Sequence, residues 1–152
     1  MKKYLCPILL SFIIGSIMAI ALISSYDGTE AITVFKNARK VYYVQRGVYS
    51  TKDSMEANMA SFSHYIYNVE DNKYYAYIGI TGNKENSKKL KNYYEKQGYN
   101  TYVKEKITDN ESFLAILNQY DEILKNTKDD GTISTICNQV LSKYEELVNN
   151  DY

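Results

Sequence analysis

The sequence has no tryptophan, a single proline, a single histidine and two cysteines among its 152 residues. These shortages exclude several classes of chemistry. One imidazole, His64, with no Cys–x–x–Cys or Cys/His spacing, gives no zinc site. No recognisable motif pairs a serine or cysteine nucleophile with that histidine, and no glycine-rich phosphate loop is present. Acidic residues are plentiful, but no two are singled out as a hydrolytic pair. The expectation is therefore a protein that is not an enzyme, with no catalytic residue, no metal and no cofactor. Cys6 and Cys137 lie far apart, Cys6 in an apolar segment and Cys137 in a helical pattern. That separation argues against an intramolecular disulfide and for Cys137 as a small core residue. Excess charge is also lacking. Eighteen bases balance eighteen acids, and Lys2 and Lys3 are two of those bases. No basic field remains to attract phosphates, so nucleic acid is excluded as a partner.

What is abundant is tyrosine, 17 residues against 4 phenylalanines. Rings with polar tips suit surfaces that are half apolar and half wet. A single long apolar run, Leu5 to Ile23, follows Lys2 and Lys3. Its length matches the roughly 20 helical residues that span a bilayer, and the lysines favour a cytoplasmic N-terminus. Residues 1–23 are expected to be a membrane anchor, with the rest of the chain extracytoplasmic. The rival is a cleaved signal peptide, for which Ala19-Ile20-Ala21 offers a small–x–small site, although Leu22 and Ile23 continue the run beyond it. Residues 24–40 form a short tether, in which "AITVFKNARK" is ambiguous between strand and helix.

Beyond the tether the pattern repeats. Val41–Tyr49 alternates as a strand, and Ser50 and Thr51 offer caps for a helix from about Lys52 to His64 with Met55, Met59 and Phe62 inward. Tyr65–Glu70 is a second strand, and 71–73 a turn. Tyr74–Ile80 is a third strand, with Ala76, Ile78 and Ile80 on its apolar side. A helix from about Lys84 to Gln97 presents Ser87, Leu90 and Tyr94 inward and stops at Gly98. Tyr99–Ile107 is the fourth strand. Placing Gly47 on Gly79 superposes the two β–α units at a spacing of 32, and both glycines read as backbone requirements at strand ends. The fold class is α+β: one four-stranded sheet with two helices on one face, over residues 41–107. The opposite face, bearing Tyr43, Gln45, Tyr75 and Tyr77, is expected to be open. Residues 108–152 differ. Thr108–Glu111 fits a capping box, and two helical stripes, Phe113 to Leu124 and Ile133 to Val148, suit an αα-hairpin.

"VYYVQRGVYSTKDS" resembles the opening strand and turn of SPOR domains (sporulation-related repeat), with Val44, Gln45, Gly47 and Tyr49 in the places of the apolar–Gln–x–Gly–x–aromatic signature. "YIGITGNKENSKKLKNYYEKQGYNTYV" resembles the family's second half through Ile78, Gly79, Leu90, Gly98 and Tyr99. The resemblance covers about residues 41–106 and includes neither the anchor nor the hairpin. It implies a ferredoxin-like antiparallel sheet and binding of peptidoglycan glycan strands across the open face, in a single-pass membrane protein of division or sporulation type. Arg46 departs from the pattern, since it stands at an inward position that is usually apolar. A glycan site pairs flat rings with fixed amides. The candidates are Gln45, Tyr43, Tyr75 and Tyr77, with Tyr102 as an extension and Ser50 as either a contact at the turn or a helix cap. The alternative is an envelope adaptor that recognises a protein partner through the hairpin.

Overall fold

The computed structural model describes residues 38–148. The expected anchor and most of the tether, with Cys6, lie outside the described residues. Among the described residues no helix is long and apolar enough to cross a membrane.

Eight elements follow in order: β1 (Arg39–Tyr49), α1 (Lys52–Met59), β2 (Ile66–Glu70), β3 (Lys73–Thr81), α2 (Lys84–Lys96), β4 (Tyr102–Thr108), α3 (Glu111–Asn126) and α4 (Asp130–Leu147). The strands form one antiparallel sheet in the order β2-β3-β1-β4. Each β–α–β unit is thus split, with a strand of the other unit inserted between its two strands. Crossovers of one hand place α1 and α2 on the same face.

Local chemistry explains most boundaries. Thr51, rather than Ser50, caps α1, its hydroxyl accepting from the Ser54 N–H at 3.2 Å. The helix stops at Met59, short of the expected His64. Its inward stripe continues all the same, because Phe62 folds back through an N–H bond to the Met59 carbonyl and packs on the Tyr99 ring with centroids 4.7 Å apart. Asp71 and Asn72 both take positive φ, 49° and 57°, the signature of a two-residue hairpin turn between β2 and β3. Asn83 caps α2. Gly98 closes it at φ +86°, with the Gly98 N–H bonded to Glu95 and the Tyr99 N–H to Tyr94 in a Schellman motif. Thr108 is not the N-cap of the helix that follows. β4 runs through Thr108, and Asn110 caps α3 by accepting from the Phe113 N–H at 2.9 Å. Asp129 caps α4 through Thr132, whose two hydrogen bonds hold its carboxyl below the ordinary range.

The sheet and the hairpin share one core. Val41, Val44, Met55, Met59, Ala76, Ile78, Leu90, Phe113, Leu117, Leu124, Val140 and Leu141 form a continuous buried cluster. The division expected at residue 107 is therefore not a boundary in packing. β2 pairs with β3 only from Lys73 to Tyr77, so Ile78–Thr81 lacks a strand on that side. α4 packs on β3 and reaches both faces of the sheet. Its Cys137 Sγ lies 3.6 Å from where a Gly79 side chain would begin, beside Leu90, while its Tyr144 meets Tyr43. The free Ile78 carbonyl accepts from the Tyr94 hydroxyl at 2.7 Å. Burial pushes the Cys137 thiol up to about 11, as befits an inert core residue.

Candidate functional site

The expected platform divides into a covered half and an open half. Gln45 stands opposite Tyr102 on β4 and Tyr77 on β3, so these three side chains share a face. Tyr43, Gln45 and Tyr77 are nevertheless buried, at 4%, 4% and 3% exposure. The expectation that this face is open is corrected here, and the physical reason is the hairpin. Tyr43 stacks edge-to-face on Tyr77 (5.3 Å, 68°) and on Tyr144 of α4 (5.8 Å, 87°), and Tyr144 continues to Phe113 of α3 (5.4 Å, 76°). Quadrupoles favour this edge-to-face order. Lys106 adds a cation, its Nζ 5.3 Å from the Tyr43 ring centroid and 5.1 Å from that of Tyr77. Desolvation raises both phenols, Tyr77 to about 12, so both stay neutral donors. The cleft left among Tyr43, Tyr77, Lys106 and Tyr144 holds about 40 Å³. That volume admits water and falls well short of an ordinary ligand pocket.

The second half is accessible. Tyr102 is 62% exposed, and Val48 is exposed beside half-buried Tyr75, its partner on β3. Asn68 of β2 pairs with Tyr75 from the other side. Tyr102, Val48 and Tyr75 lie on three neighbouring strands, and buried Gln45 stands level with Tyr102. The Gln45 Oε1 has no hydrogen-bond partner among the described residues, and an unpaired buried acceptor costs about 1–3 kcal/mol. β1 alternates regularly through Tyr43, Val44 and Gln45 against β4, and all three are buried because helices cover both faces of the sheet there. Ser50 is exposed at the strand end and caps nothing.

Arg46, unexplained by the sequence, turns to the helix side. Its guanidinium lies 5.4 Å from the Tyr99 ring centroid, and Nη1 donates to the Asn100 carbonyl at 3.4 Å. His64 Nε2 lies 3.0 Å from the Glu145 carboxylate of α4 without hydrogen-bond geometry.

One polar cluster was missed by sequence reasoning. Asp121 of α3 is buried, and its carboxylate accepts from the Thr81 hydroxyl, the Gly82 N–H (2.8 Å) and the Asn86 amide (3.2 Å). The Asn86 amide also donates to the Asp121 carbonyl at 2.9 Å. Burial raises the Asp121 pKa, and the hydrogen bonds only partly oppose it. The available signal was its place in the stripe, four residues after Leu117 and three before Leu124. The cluster joins the end of β3 and the start of α2 to the hairpin, so its role is to hold elements together. Among the described residues no three His, Cys, Asp or Glu side chains gather as a metal site.

Comparison with family models, with curated proteins and with solved structures finds no match to this chain.

Proposed function

We propose that this chain is a non-catalytic SPOR-type module that binds peptidoglycan glycan strands on the open strip Tyr102–Val48–Tyr75. In this reading residues 1–23 anchor it in the membrane and the sheet lies outside the cytoplasm. The observation that carries the reading is the arrangement of the sheet: split β–α–β units in the order β2-β3-β1-β4, with tyrosines gathered on the face away from α1 and α2. That order supports the ferredoxin-like arrangement that the sequence resemblance implies. Tyr102 and Tyr75 lie on strands two spacings apart, ~10 Å in the hydrogen-bonding direction. A ligand touching both must be an oligosaccharide rather than one sugar. Exposed Tyr102 and half-buried Tyr75 supply rings with polar tips, which suit the apolar faces and hydroxyls of sugars.

The test is co-sedimentation of the full chain with purified sacculi, before and after amidase removal of stem peptides. Retention should increase on amidase-treated sacculi, and Tyr75→Ala with Tyr102→Ala should lower it at least tenfold with the fold intact. Negligible retention on both preparations sinks the reading. The adaptor alternative keeps one observation: Ile123, alone in its stripe, is 51% exposed on α3. Ile123→Asp should abolish positioning in the cell if a protein partner docks there and leave it unchanged if glycan does the work.

A further inference from the structure

The lysine-rich run "NKENSKKLKNYYEK" forms all of α2 with its cap Asn83, and it does more than face solvent. Between α2 and the start of α4 runs a groove of about 530 Å³, within the size range of small-ligand sites. Tyr93 is half-buried in it and Ile133 closes its apolar side. Four lysines line it, Lys88, Lys89, Lys96 and Lys128, against two acids, Glu85 and Asp130. The excess of two positive charges is local, since the whole chain is formally neutral.

The four lysines are not equivalent. Lys88 is held by Glu85 at 2.9 Å. Lys89 donates to the Leu124 and Thr127 carbonyls and so closes the C-terminal end of α3. Lys96, in the last turn of α2, and Lys128, in the α3–α4 connection, are exposed and make no ion pair among the described residues. Lys96 comes from α2 and Lys128 from the connection that leads into α4. No arginine lines it, so nothing offers the planar fork that grips a carboxylate in bidentate fashion. Ammonium groups act as point charges toward phosphoryl oxygens. A phosphate monoester carries about −1.5 to −2 at neutral pH, which matches the excess charge. The Tyr93 ring and the Asn92 amide beside it suit the apolar face and hydroxyls of a sugar.

We propose that the α2–α4 groove binds a phosphorylated sugar, with Lys96 and Lys128 on the phosphoryl group and Tyr93 under the ring. This site is separate from the sheet face, and its existence does not depend on glycan binding there. The probes are glucose 6-phosphate, inorganic phosphate and glucose, titrated calorimetrically into the full chain held in nanodiscs at low salt. Glucose 6-phosphate should bind most tightly, phosphate more weakly and glucose not measurably. Lys96→Glu with Lys128→Glu should weaken glucose 6-phosphate binding at least tenfold. Both side chains are exposed, so the fold survives the change. Tyr93→Leu should weaken the sugar phosphate and leave inorganic phosphate unchanged. Equal binding of glucose and its phosphate, full affinity in the double lysine variant, or no heat with any probe overturns the proposal.

Discussion

Tyr144 and Asp121 are the two hairpin side chains whose loss is easiest to read. Tyr144 edges onto both Tyr43 and Phe113, and each such pair contributes about 0.5–1.5 kcal/mol beyond area. Tyr144→Ala, which also opens a cavity, should lower unfolding stability by about 2–4 kcal/mol, measured by denaturant titration. Asp121 sets a pH dependence. Its folded pKa lies above the ordinary 3.8, so between the two values the native state holds a proton that the unfolded state has lost. Stability from this group therefore falls as pH rises from 3.8 through the raised value. Asp121→Asn should remove that segment of the pH–stability curve. It should also cost about 1–3 kcal/mol, since an amide nitrogen can face the Gly82 N–H donor without accepting from it. A variant curve parallel to the native one across that range contradicts the assignment.

At the scale of elements, much was legible. The 3.6-residue stripes of α2 and α4, the Gly98 stop and the αα-hairpin follow from side-chain spacing and cap chemistry alone. Three features were hidden. The length of α1 was overestimated because Phe62 keeps the stripe going after the helix has stopped. The open face of β1 was misjudged because alternation assumes one solvated face, whereas a strand covered on both sides is apolar at successive positions. "YAYIGIT" in β3 shows that continuous pattern, and Ala76–Thr81 are all buried. The glycine pair was recognised, but its reason was not conformational, since neither Gly47 nor Gly79 has positive φ. A Gly79 side chain would sit 3.3 Å from Leu90 and 3.6 Å from Cys137, so the need is for space where α2 and α4 both approach β3. No single-strand pattern contains that information, because it arises from elements far apart in sequence.

At the scale of the whole molecule, the open strip and the lysine groove are carried by one core. The β4 edge of the sheet is also guarded. β4 carries Lys104, Glu105 and Lys106 in succession, and symmetric antiparallel pairing of two β4 strands sets like charges opposite each other, Lys104 on Lys104 or Glu105 on Glu105. Edge-to-edge dimerisation is thereby disfavoured. The unguarded edge is the end of β3, where α4 stands in place of a strand. A chain ending at residue 107 should therefore aggregate or fail to fold, in contrast to the full chain. A monodisperse, cooperatively unfolding fragment would show that the hairpin is dispensable.

The substitution of a helix for a strand at Ile78–Thr81 also bears on inheritance. The sheet and its helical tail share one core, so separating them would uncover Ile78–Thr81. A relative that carries this sheet without the tail must lengthen β2 to cover Ile78–Thr81, or recruit another segment to that place. The length of the second strand is thus a mark, readable in any related gene, of whether the tail was acquired or lost.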